Sequence, residues 1–282
     1  DYDGVPDDLK AEFVAFIVAL AEQLRRHDIA LVVVVDMPRL ADGVWDTDGL
    51  DWLAIGDAAE GVRIRLPNAA PIDLAVLDDL VRWAVTRVDR RRLELAAPVY
   101  GRDLVDDVVT PIAFGDALGH VLDMARSDAP ERVTPGREAT VELPTIAAAE
   151  LGRDPATGLW RFHYWDDNRR QHTVWLNDAA GLAPAFEVAE RFRIGRVALD
   201  GVSASVDPQI WKLVAGRRAA GRPTPPSGGY RLAWQLRGED GRVIQESVQP
   251  LEASSFTLCA PSQESTYDLT VNLIAADGSP AA

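Results

Sequence analysis

The sequence is short of cysteine and of long apolar runs. Cys259 is the only cysteine among 282 residues, so an internal disulfide and a cysteine-rich zinc site are both excluded. We interpret Cys259 as a small apolar residue of the core. No stretch reaches the roughly 18 consecutive apolar residues that a membrane-spanning helix needs, and we expect no such span.

Positive charge is scarce too. The chain carries 29 Lys and Arg residues against 44 Asp and Glu residues, which gives a formal net charge of −15. A surface of this sign repels phosphate, so we expect neither a nucleic acid nor an anionic membrane as the partner. A neutral or polar partner is favoured instead.

What the chain does contain is a set of short apolar segments rich in β-branched residues. The first, Ile29 to Pro38, has the sequence IALVVVVDMP and predicts a strand buried on both faces of a parallel sheet. The preceding helix is expected to start at a cap on Asp7 and to carry one apolar stripe of Phe13, Phe16, Ile17, Leu20 and Leu24.

The same helix and strand unit recurs at a spacing of about thirty to forty residues, which is typical of a (β/α) barrel or a doubly wound sheet. The predicted strands are 61–66, 93–99 and 195–199, and the predicted helices are 72–88, 182–192 and 208–214. Residues 102–175 interrupt this pattern and predict an α+β insertion. Its elements are a helix at 113–125, a strand at 139–144 and a hairpin of 159–165 and 169–176.

The last part of the chain has a different character. Residues 216–229 are rich in Gly, Pro and Arg, which is the composition of a linker. Residues 230–282 alternate apolar and polar residues in four predicted strands, with a hairpin turn at 238–241. The simplest interpretation is a small antiparallel β-sandwich domain of the immunoglobulin or fibronectin kind.

Four segments, taken in order, carry a resemblance to a known family. They are Asp1-Tyr2-Asp3 with the following VPDD, VVVVDMP followed by Trp45, AAPVYG ending at residues 100–101, and HTVWLNDA followed by Asp207-Pro208-x-x-Trp211. Together they resemble the catalytic domain of glycoside hydrolase family 18, in particular its branch of spore-cortex and peptidoglycan hydrolases. The resemblance covers about residues 1–214 and rests on the order and spacing of the motifs.

The resemblance implies a (β/α)8 TIM-type barrel that this sequence contains only in part. We expect residues 1–215 to form a partial barrel of α/β class with an α+β insertion at about 102–175, followed by the linker and the β-sandwich domain. Family-18 barrels have three strands before the one that ends at Asp1, so we expect the missing N-terminal part of a longer chain, or another polypeptide, to supply them. The relationship also implies an extracytoplasmic or secreted protein without a cofactor.

Family-18 enzymes cleave β-1,4 bonds next to N-acetylglucosamine. A glutamic acid protonates the leaving oxygen while the acetamide of the substrate attacks the anomeric carbon. Asp3 stands where that glutamate is expected, and Asp1 lies two residues earlier on the same strand face, so the resemblance makes Asp3 the candidate acid and Asp1 its neighbour. Aspartate is one methylene shorter, and a displacement of about 1 Å costs on the order of a hundredfold in rate.

Other family positions are substituted as well. Arg65-Leu66-Pro67-Asn68 replaces the Met-x-Tyr-Asp pattern of the sixth strand, and Asp200 replaces the tryptophan after strand eight. Tyr100 is retained. Asp3, Asp36, Asn68, Tyr100 and Asp200 each end a different predicted strand and are expected to converge on one face, with Trp45 as a further aromatic candidate for substrate binding.

We therefore predict a glycan-binding or scaffolding module with impaired catalysis, which recognises N-acetylglucosamine-containing polymers such as chitin or peptidoglycan. The alternative is an active hydrolase of β-1,4 N-acetylhexosamine linkages with Asp3 as general acid. A third hypothesis is a protein-interaction scaffold without a glycan partner. Reducing-end release from chitooligosaccharides, compared with an Asp3→Ala variant, separates the first two.

Two further groups of residues have more than one interpretation. His163 and His172 lie on opposite arms of the predicted hairpin, where they are a metal-binding pair or two unrelated structural residues, and we predict no metal. Trp160, Trp165 and Trp175 form the core of the insertion, or one of them is exposed as a platform for a sugar ring.

Overall fold

The chain alternates helices and strands in its first half and is dominated by strands in its second. The computed structural model describes residues 5–67, 70–124, 132–202, 205–220, 229–275 and 278. The helices are a 3-10 helix at Asp7–Leu9, α1 (Lys10–Arg25), α2 (Trp52–Ala58), α3 (Leu74–Ala84), α4 (Phe114–Met124), α5 (Pro144–Ala148), α6 (Ala179–Phe192) and α7 (Gln209–Ala220).

The strands of the first half and of the insertion are β1 (Val32–Asp36), β2 (Arg39–Ala41), β3 (Val44–Asp46), β4 (Gly61–Arg65), β5 (Leu93–Pro98), β6 (Gly101–Val105), β7 (Val108–Ile112), β8 (Glu138–Glu142), β9 (Gly152–Arg153), β10 (Trp160–Trp165) and β11 (Gln171–Leu176). They are followed by β12 (Arg196–Asp200), β13 (Arg231–Gly238), β14 (Val243–Pro250), β15 (Ser255–Cys259) and β16 (Tyr267–Ile274).

Four strands form a parallel sheet in the order β1–β4–β5–β12. The pairing is in register, so that Val35, Ile64, Leu95 and Val197 lie side by side across the sheet. Because the four strands run in one direction, their carboxyl ends lie along one edge. The strands predicted at 61–66, 93–99 and 195–199 are confirmed, each with ends shifted by no more than one residue.

In the described part of the chain, helices cover one face of this sheet. Val33, Val35 and Ile64 are buried against the helix layer. Val34 points to the opposite face and is 48% exposed. The prediction that β1 is buried on both faces is therefore wrong, because the neighbouring positions on that face are the charged residues Arg63 and Glu94, which do not cover it.

Helix α1 is also less buried than its pattern predicts. It starts at Lys10 with Leu9 as its N-cap, after a 3-10 helix at Asp7–Leu9, so the predicted cap at Asp7 is two residues early. Ile17 is buried, whereas Phe16 is 42% exposed, so the predicted apolar stripe faces the core only in part. None of the described helices is both long and apolar enough to cross a membrane.

The insertion is built on a second, antiparallel sheet in the order β7–β6–β11–β10–β9. The predicted hairpin is confirmed as β10 and β11, with Phe162 opposite Val174. Both side chains are fully buried in one core cluster with Leu118 and Val121 of α4. Strands β6 and β7 were not predicted, and β6 begins only three residues after β5 ends, so the second sheet starts at the carboxyl edge of the first.

The C-terminal strands share the core of the insertion. Strand β13 pairs with β14 and β16, but β15 pairs antiparallel with β8 of the insertion. Trp234 of β13 stacks on Phe256 of β15 with ring centroids 4.9 Å apart. The β-sandwich therefore stays a prediction, since in the described residues β15 takes its partner from outside 230–282.

Two details of the predicted C-terminal region differ from the structure. Helix α7 continues to Ala220, so the first residues of the predicted linker are helical. Residues 221–228 lie outside the described part of the chain, and the domain boundary at 216–229 stays a prediction. Cys259 is exposed on β15, so its predicted place in the core is wrong.

A buried carboxylate joins the two halves of the fold. Asp207, which is 1% exposed, accepts hydrogen bonds from the backbone N–H groups of Ala179 at 2.7 Å and Gln209 at 2.9 Å. It also accepts one from the hydroxyl of Tyr230 at 2.5 Å. Burial raises the pKa of Asp207, while these three hydrogen bonds oppose the rise. Tyr230 belongs to the core of the insertion, so this contact ties the α6 and α7 helices to the second core.

We expect Tyr230→Phe to lower the free energy of unfolding by about 1.5–3 kcal/mol, because it removes a hydrogen bond to a buried charged group. Urea unfolding measures this difference. The matched control is Tyr267→Phe, which removes a hydroxyl that donates to the exposed Gln263 carbonyl oxygen at 2.7 Å. The control is expected to cost less than about 0.5 kcal/mol. Equal losses in the two variants would contradict the assigned role of Tyr230.

Candidate functional site

Polar side chains gather at the carboxyl ends of the four parallel strands. Asp36 ends β1, Arg65 ends β4, Tyr100 follows β5 and Asp200 ends β12. We call this group the carboxyl edge. The register places Asp36 opposite Arg65 and Asp200 opposite Pro98, two residues before Tyr100. The parallel alignment therefore brings together residues that are far apart in the sequence.

Tyr100 is held in place by the turn after β12. Gly201 has a φ angle of +76°, and a Cβ atom at this position would lie 2.3 Å from Cδ1 of Tyr100. The ring therefore packs against a residue that only glycine can occupy without displacing it. The backbone N–H of Val99 donates to the Asp200 carbonyl oxygen at 2.9 Å, which fixes the same two strand ends to each other.

The hydroxyl of Tyr100 stays protonated at neutral pH. Burial raises its pKa, and the nearby Asp200 carboxylate adds to the rise, while the charges of Arg102 and Arg65 oppose it. A protonated phenol can donate a hydrogen bond to a neutral acceptor such as an amide or sugar oxygen. Tyr100 is therefore suited to a polar, uncharged ligand.

Two arginines accompany these groups. The Nε atom of Arg65 donates to Oδ1 of Asp36 at 2.8 Å, in an ion pair that is open to solvent on the Asp36 side. Arg102 is only 3% exposed, and its Nη2 atom donates to the Pro67 carbonyl oxygen at 3.0 Å. Burial lowers the pKa of Arg102, with Tyr100 opposing, although arginine remains charged at any physiological pH.

Charged side chains also line one face of the sheet itself, two residues closer to the amino ends of the strands. Glu94, which is 2% exposed, bonds to Arg63 at 2.8 Å and to Arg196 at 2.7 Å. Both arginines reach it from neighbouring strands in register. A carboxylate this buried requires such partners, because an unpaired charge would cost several kcal/mol, on the order of 3–5.

The structure brings three of the predicted site residues to one edge. Asp36, Tyr100 and Asp200 share it, but Asp36 and Asp200 end the two outer strands. Three strand spacings separate them, which corresponds to roughly 14 Å. Asp1, Asp3 and Asn68 lie outside the described residues, so their predicted places stay predictions.

Trp45 does not belong to this edge. It lies in the hairpin of β2 and β3, and its ring packs on Trp83 of α3 with centroids 6.1 Å apart. Both rings are partly buried and pack against the core between the sheet and its helices. The sequence of this segment does not indicate strands, because its glycine and acidic residues mask a short hairpin whose turn is formed by Asp42 and Gly43.

The predicted metal-binding alternative for two histidines is wrong on geometric grounds. His163 lies opposite Thr173 and His172 opposite Tyr164, so the two imidazoles point to opposite faces of the sheet. The Nδ1 atom of His172 lies 2.8 Å from Oδ2 of Asp103, and Tyr164 donates to the same carboxylate at 3.2 Å. Burial, with Asp103 adding to it, raises the pKa of Tyr164 to about 12.

Arg65 and Arg102 are functional candidates that the sequence interpretation did not select. The alternation in GVRIRL places Arg63 and Arg65 on one strand face, and this signal was available. For Arg102 there was no local signal, because its position depends on the unpredicted strand β6.

A large cavity lies elsewhere, beside the second core. Its volume is about 790 Å³, and it is bounded by β8, β13, β15 and the segment 260–269. Its floor is aliphatic, with Val141, Leu236 and Leu258. We place the candidate site at the carboxyl edge, because the carboxyl ends of parallel strands are where the sites of such folds form.

The parallel sheet with an α+β insertion after its third strand defines a chitinase-like α/β fold. Solved structures support this assignment. The chitinase from Chromobacterium violaceum ATCC 12472 aligns with a TM-score of 0.57 and 21% identity over 76% of this chain and 63% of that chain. The predicted α/β class and the resemblance to a chitinase-like fold are therefore confirmed, while the partial (β/α)8 barrel stays a prediction.

Two bacterial spore enzymes are similar in fold as well. The Bacillus megaterium QM B1551 spore cortex-lytic enzyme SleL aligns with a TM-score of 0.55 and 18% identity, over 75% of this chain and 46% of that chain. A putative sporulation-specific glycosylase from Bacillus subtilis aligns with a TM-score of 0.55 and 15% identity, over 71% and 63% of the two chains. The present chain thus spans less than two thirds of the length of each.

No protein-family model matches the sequence, and no curated protein matches it either. Its relationship to the chitinase-like proteins is therefore visible in the fold and in the order of short motifs.

We expect Gly201→Ala to destabilise the chain more than Gly241→Ala, its matched control. Both glycines have a φ angle near +75°, so either substitution introduces left-handed strain of about 1–2 kcal/mol. Only the Cβ atom at residue 201 meets a neighbour, the ring of Tyr100, whereas the one at residue 241 meets nothing within 4 Å. Urea unfolding compares the two losses, and equal values would show that Tyr100 does not pack against this turn.

Proposed function

We propose that this chain is a glycan-binding or scaffolding module that recognises N-acetylglucosamine-containing polymers at its carboxyl edge, with impaired hydrolysis. One observation carries the proposal, namely the Tyr100 ring held against Gly201 beside Asp200 in a chitinase-like fold. An aromatic ring with a protonated hydroxyl, next to a carboxylate, combines an apolar surface with a donor and an acceptor. This is the set of contacts that a sugar with an acetamide group requires.

The proposal of impaired hydrolysis rests on the carboxylates of this edge. A general acid for glycoside cleavage needs a carboxyl group in apolar surroundings, close to the bond to be broken. Asp36 is exposed and paired with Arg65, and roughly 14 Å of sheet separates it from Asp200. Asp36 therefore does not meet the requirement. The candidate acid at the family's glutamate position is Asp3, whose side chain is shorter than glutamate.

We further propose that the four parallel strands are part of a (β/α)8 barrel. Parallel sheets are normally covered on both faces, and the charged face of this sheet carries a half-exposed Val34 beside a buried Glu94. Additional strands would enclose that face. We also propose that the protein is extracytoplasmic, which the similarity in fold to a spore cortex-lytic enzyme supports.

The alternative function is an active glycoside hydrolase with Asp3 as general acid and Asp1 beside it. The retained tyrosine at position 100 favours it, because a hydrolysis assisted by the substrate's acetamide needs a group that orients that acetamide. The chitinase of similar fold is the precedent. The rate at which the chain releases reducing ends from a glycan distinguishes the two functions.

For binding, we expect Tyr100→Ala to weaken the affinity for the N-acetylglucosamine trisaccharide by about tenfold or more, through loss of ring contact and of a hydrogen bond. Tyr100→Phe keeps the ring and is expected to cost about fivefold, the value of one hydrogen bond. Isothermal titration calorimetry on the 282-residue chain measures both. An affinity that is unchanged in Tyr100→Ala would refute the site.

For catalysis, we expect the chain and its Asp3→Ala variant to release reducing ends from chitooligosaccharides or peptidoglycan at equally low rates. The physical reason is the short acid at position 3, since a misplacement of about 1 Å costs on the order of a hundredfold. A rate that falls by two orders of magnitude or more in Asp3→Ala would establish the hydrolase instead. Asp89→Ala is the control, because that carboxylate is also paired with an arginine, Arg91, but precedes β5 at the amino ends of the strands and should not change the rate.

A further inference from the structure

Positive and negative charges are separated along the strands of the parallel sheet. Helices α3 and α6 run back towards the amino ends of β5 and β12, so each begins on the side of the carboxyl edge and ends on the opposite side. Their N-caps are the acidic residues Asp73 and Asp178, and their last turns carry Arg82 and Arg191. Because acids are favoured at the start of a helix and bases at its end, the fold collects cations at the amino ends of the strands.

An arginine cluster lies at the amino ends of β5 and β12. Residues 87–94 and 191–196 contain seven arginines and two acidic residues, which is a net charge of +5 in a chain whose formal net charge is −15. The net charge of the chain hides this cluster, since it is a sum over the whole surface. Five exposed arginines of these stretches define what we call the basic end, namely Arg87, Arg90, Arg91, Arg193 and Arg196.

Backbone contacts hold the two arginine-rich turns against each other. The N–H of Gly195 donates to the Arg90 carbonyl oxygen at 2.7 Å and to the Leu93 carbonyl oxygen at 3.1 Å. A Cβ atom at residue 195 would lie 2.3 Å from the Arg91 carbonyl oxygen, so only glycine allows this approach. Arg193 is the left-handed C-cap of α6. The turns therefore present their side chains from fixed positions, and little backbone freedom is lost when a ligand binds.

The two acidic residues of the cluster are already paired. Asp89 accepts from Nη2 of Arg91 at 2.7 Å, and its contacts with Arg91 lower its pKa to about 2. Glu94 is shared by Arg63 and Arg196, at 2.8 and 2.7 Å. Since a guanidinium group has several N–H donors arranged as a fork, Arg91 and Arg196 keep donors for a further acceptor.

Three arginines of the basic end have no carboxylate partner in the part of the chain that the structure describes. They are Arg87, Arg90 and Arg193, and the guanidinium of Arg87 lies 6.0 Å from the ring centre of Trp83 instead. The dipole of α6 favours a cation at Arg193, but this effect fades beyond the last turn of a helix. Arg90 lies six residues after the end of α3, so the helix dipole does not account for it. Unpaired cations on adjacent turns favour an anion that bridges them.

The chemistry of the basic end suits phosphate groups. Guanidinium groups bind phosphate oxygens in pairs, and arginines from different turns can share one tetrahedral group. A flexible chain can place successive phosphates over the two turns, which are one strand spacing, or about 4.8 Å, apart. A stiff duplex or a flat membrane is disfavoured, because it would also approach exposed acids on the flanks, such as Asp57 at the end of α2 and Glu187 on α6.

We propose that the basic end binds a linear, flexible polymer of phosphate groups. This site lies at the opposite end of the same strands from the carboxyl edge and does not depend on the proposed glycan function. One chain therefore has separate surfaces for a neutral polymer and for an anionic one.

The probe for the test is inorganic polyphosphate, titrated calorimetrically into the 282-residue chain at several salt concentrations. We expect the double variant Arg90→Gln/Arg193→Gln to bind about tenfold more weakly at low salt, because two exposed charge contacts are lost. The slope of log K against log salt concentration should fall in magnitude by about 1 to 2, since fewer counterions are released. A purely structural role of these arginines would not change this slope.

The matched control is Arg169→Gln/Arg242→Gln, which changes the net charge equally at two other exposed arginines. Arg169, like Arg193, has a positive φ angle. The control pair should change the affinity by less than about twofold, because remote charges are screened. Arg90→Gln alone lies outside both helices and is expected to cost about threefold, so it replaces the double variant if the loss of Arg193 lowers the unfolding midpoint.

The outcomes decide between the basic end and a general effect of charge. Equal losses in the two double variants, or a wild-type chain that does not bind polyphosphate, overturn the site. Poly-L-glutamate that binds as tightly as polyphosphate overturns the assignment to phosphate, and a DNA duplex that does so overturns the assignment to a flexible polymer. Polyphosphate binding should be unchanged in Tyr100→Ala, and trisaccharide binding unchanged in Arg90→Gln/Arg193→Gln, so each of the two sites can fail without the other.

Discussion

The fold depends on one buried carboxylate. Asp207 accepts hydrogen bonds from the first residue of α6, from the start of α7 and from Tyr230, so three segments meet at one side chain. Burial alone would make such a carboxylate destabilising, and the three donors offset that cost. The parallel sheet and the insertion therefore hold fixed positions relative to each other.

A second constraint acts on the face of the parallel sheet that helices leave uncovered. Val34 is exposed there, but the next strands place Arg63, Glu94 and Arg196 side by side, and the buried glutamate is satisfied by both arginines. This row of alternating charge fixes the register of three strands more strictly than an apolar row would, because a slip by two residues would leave Glu94 without partners. The same register sets Arg65 beside Asp36 and thereby determines which carboxylates at the edge are neutralised by a neighbouring cation.

Local patterns in the sequence predicted most of the elements and the fold class, because strand and helix periodicity depends on neighbouring residues alone. The confirmed hairpin of β10 and β11 is an example. Long-range pairing has no such signal, and the contact of β15 with β8 joins segments more than a hundred residues apart. Trp45 illustrates a related limit. An aromatic residue among acidic residues and glycine is compatible with a binding loop and also with a hairpin that packs on the core. The contact between the rings of Trp45 and Trp83 distinguishes these two possibilities. The order of motifs, by contrast, was sufficient for the chitinase-like fold.

The chemistry of the site is less determined by the sequence than the fold, since it depends on which groups become neighbours. Tyr100 and Asp200 belong to strands a hundred residues apart, and their proximity follows from the pairing of β5 with β12. That pairing keeps a phenol protonated beside a carboxylate, which is a combination for holding a polar, uncharged ligand. The other carboxylate of this edge, Asp36, is exposed and paired with Arg65, whereas acid catalysis needs a carboxyl group in apolar surroundings. Because the acid position of the family pattern is substituted as well, we expect binding to outlast hydrolysis in this chain.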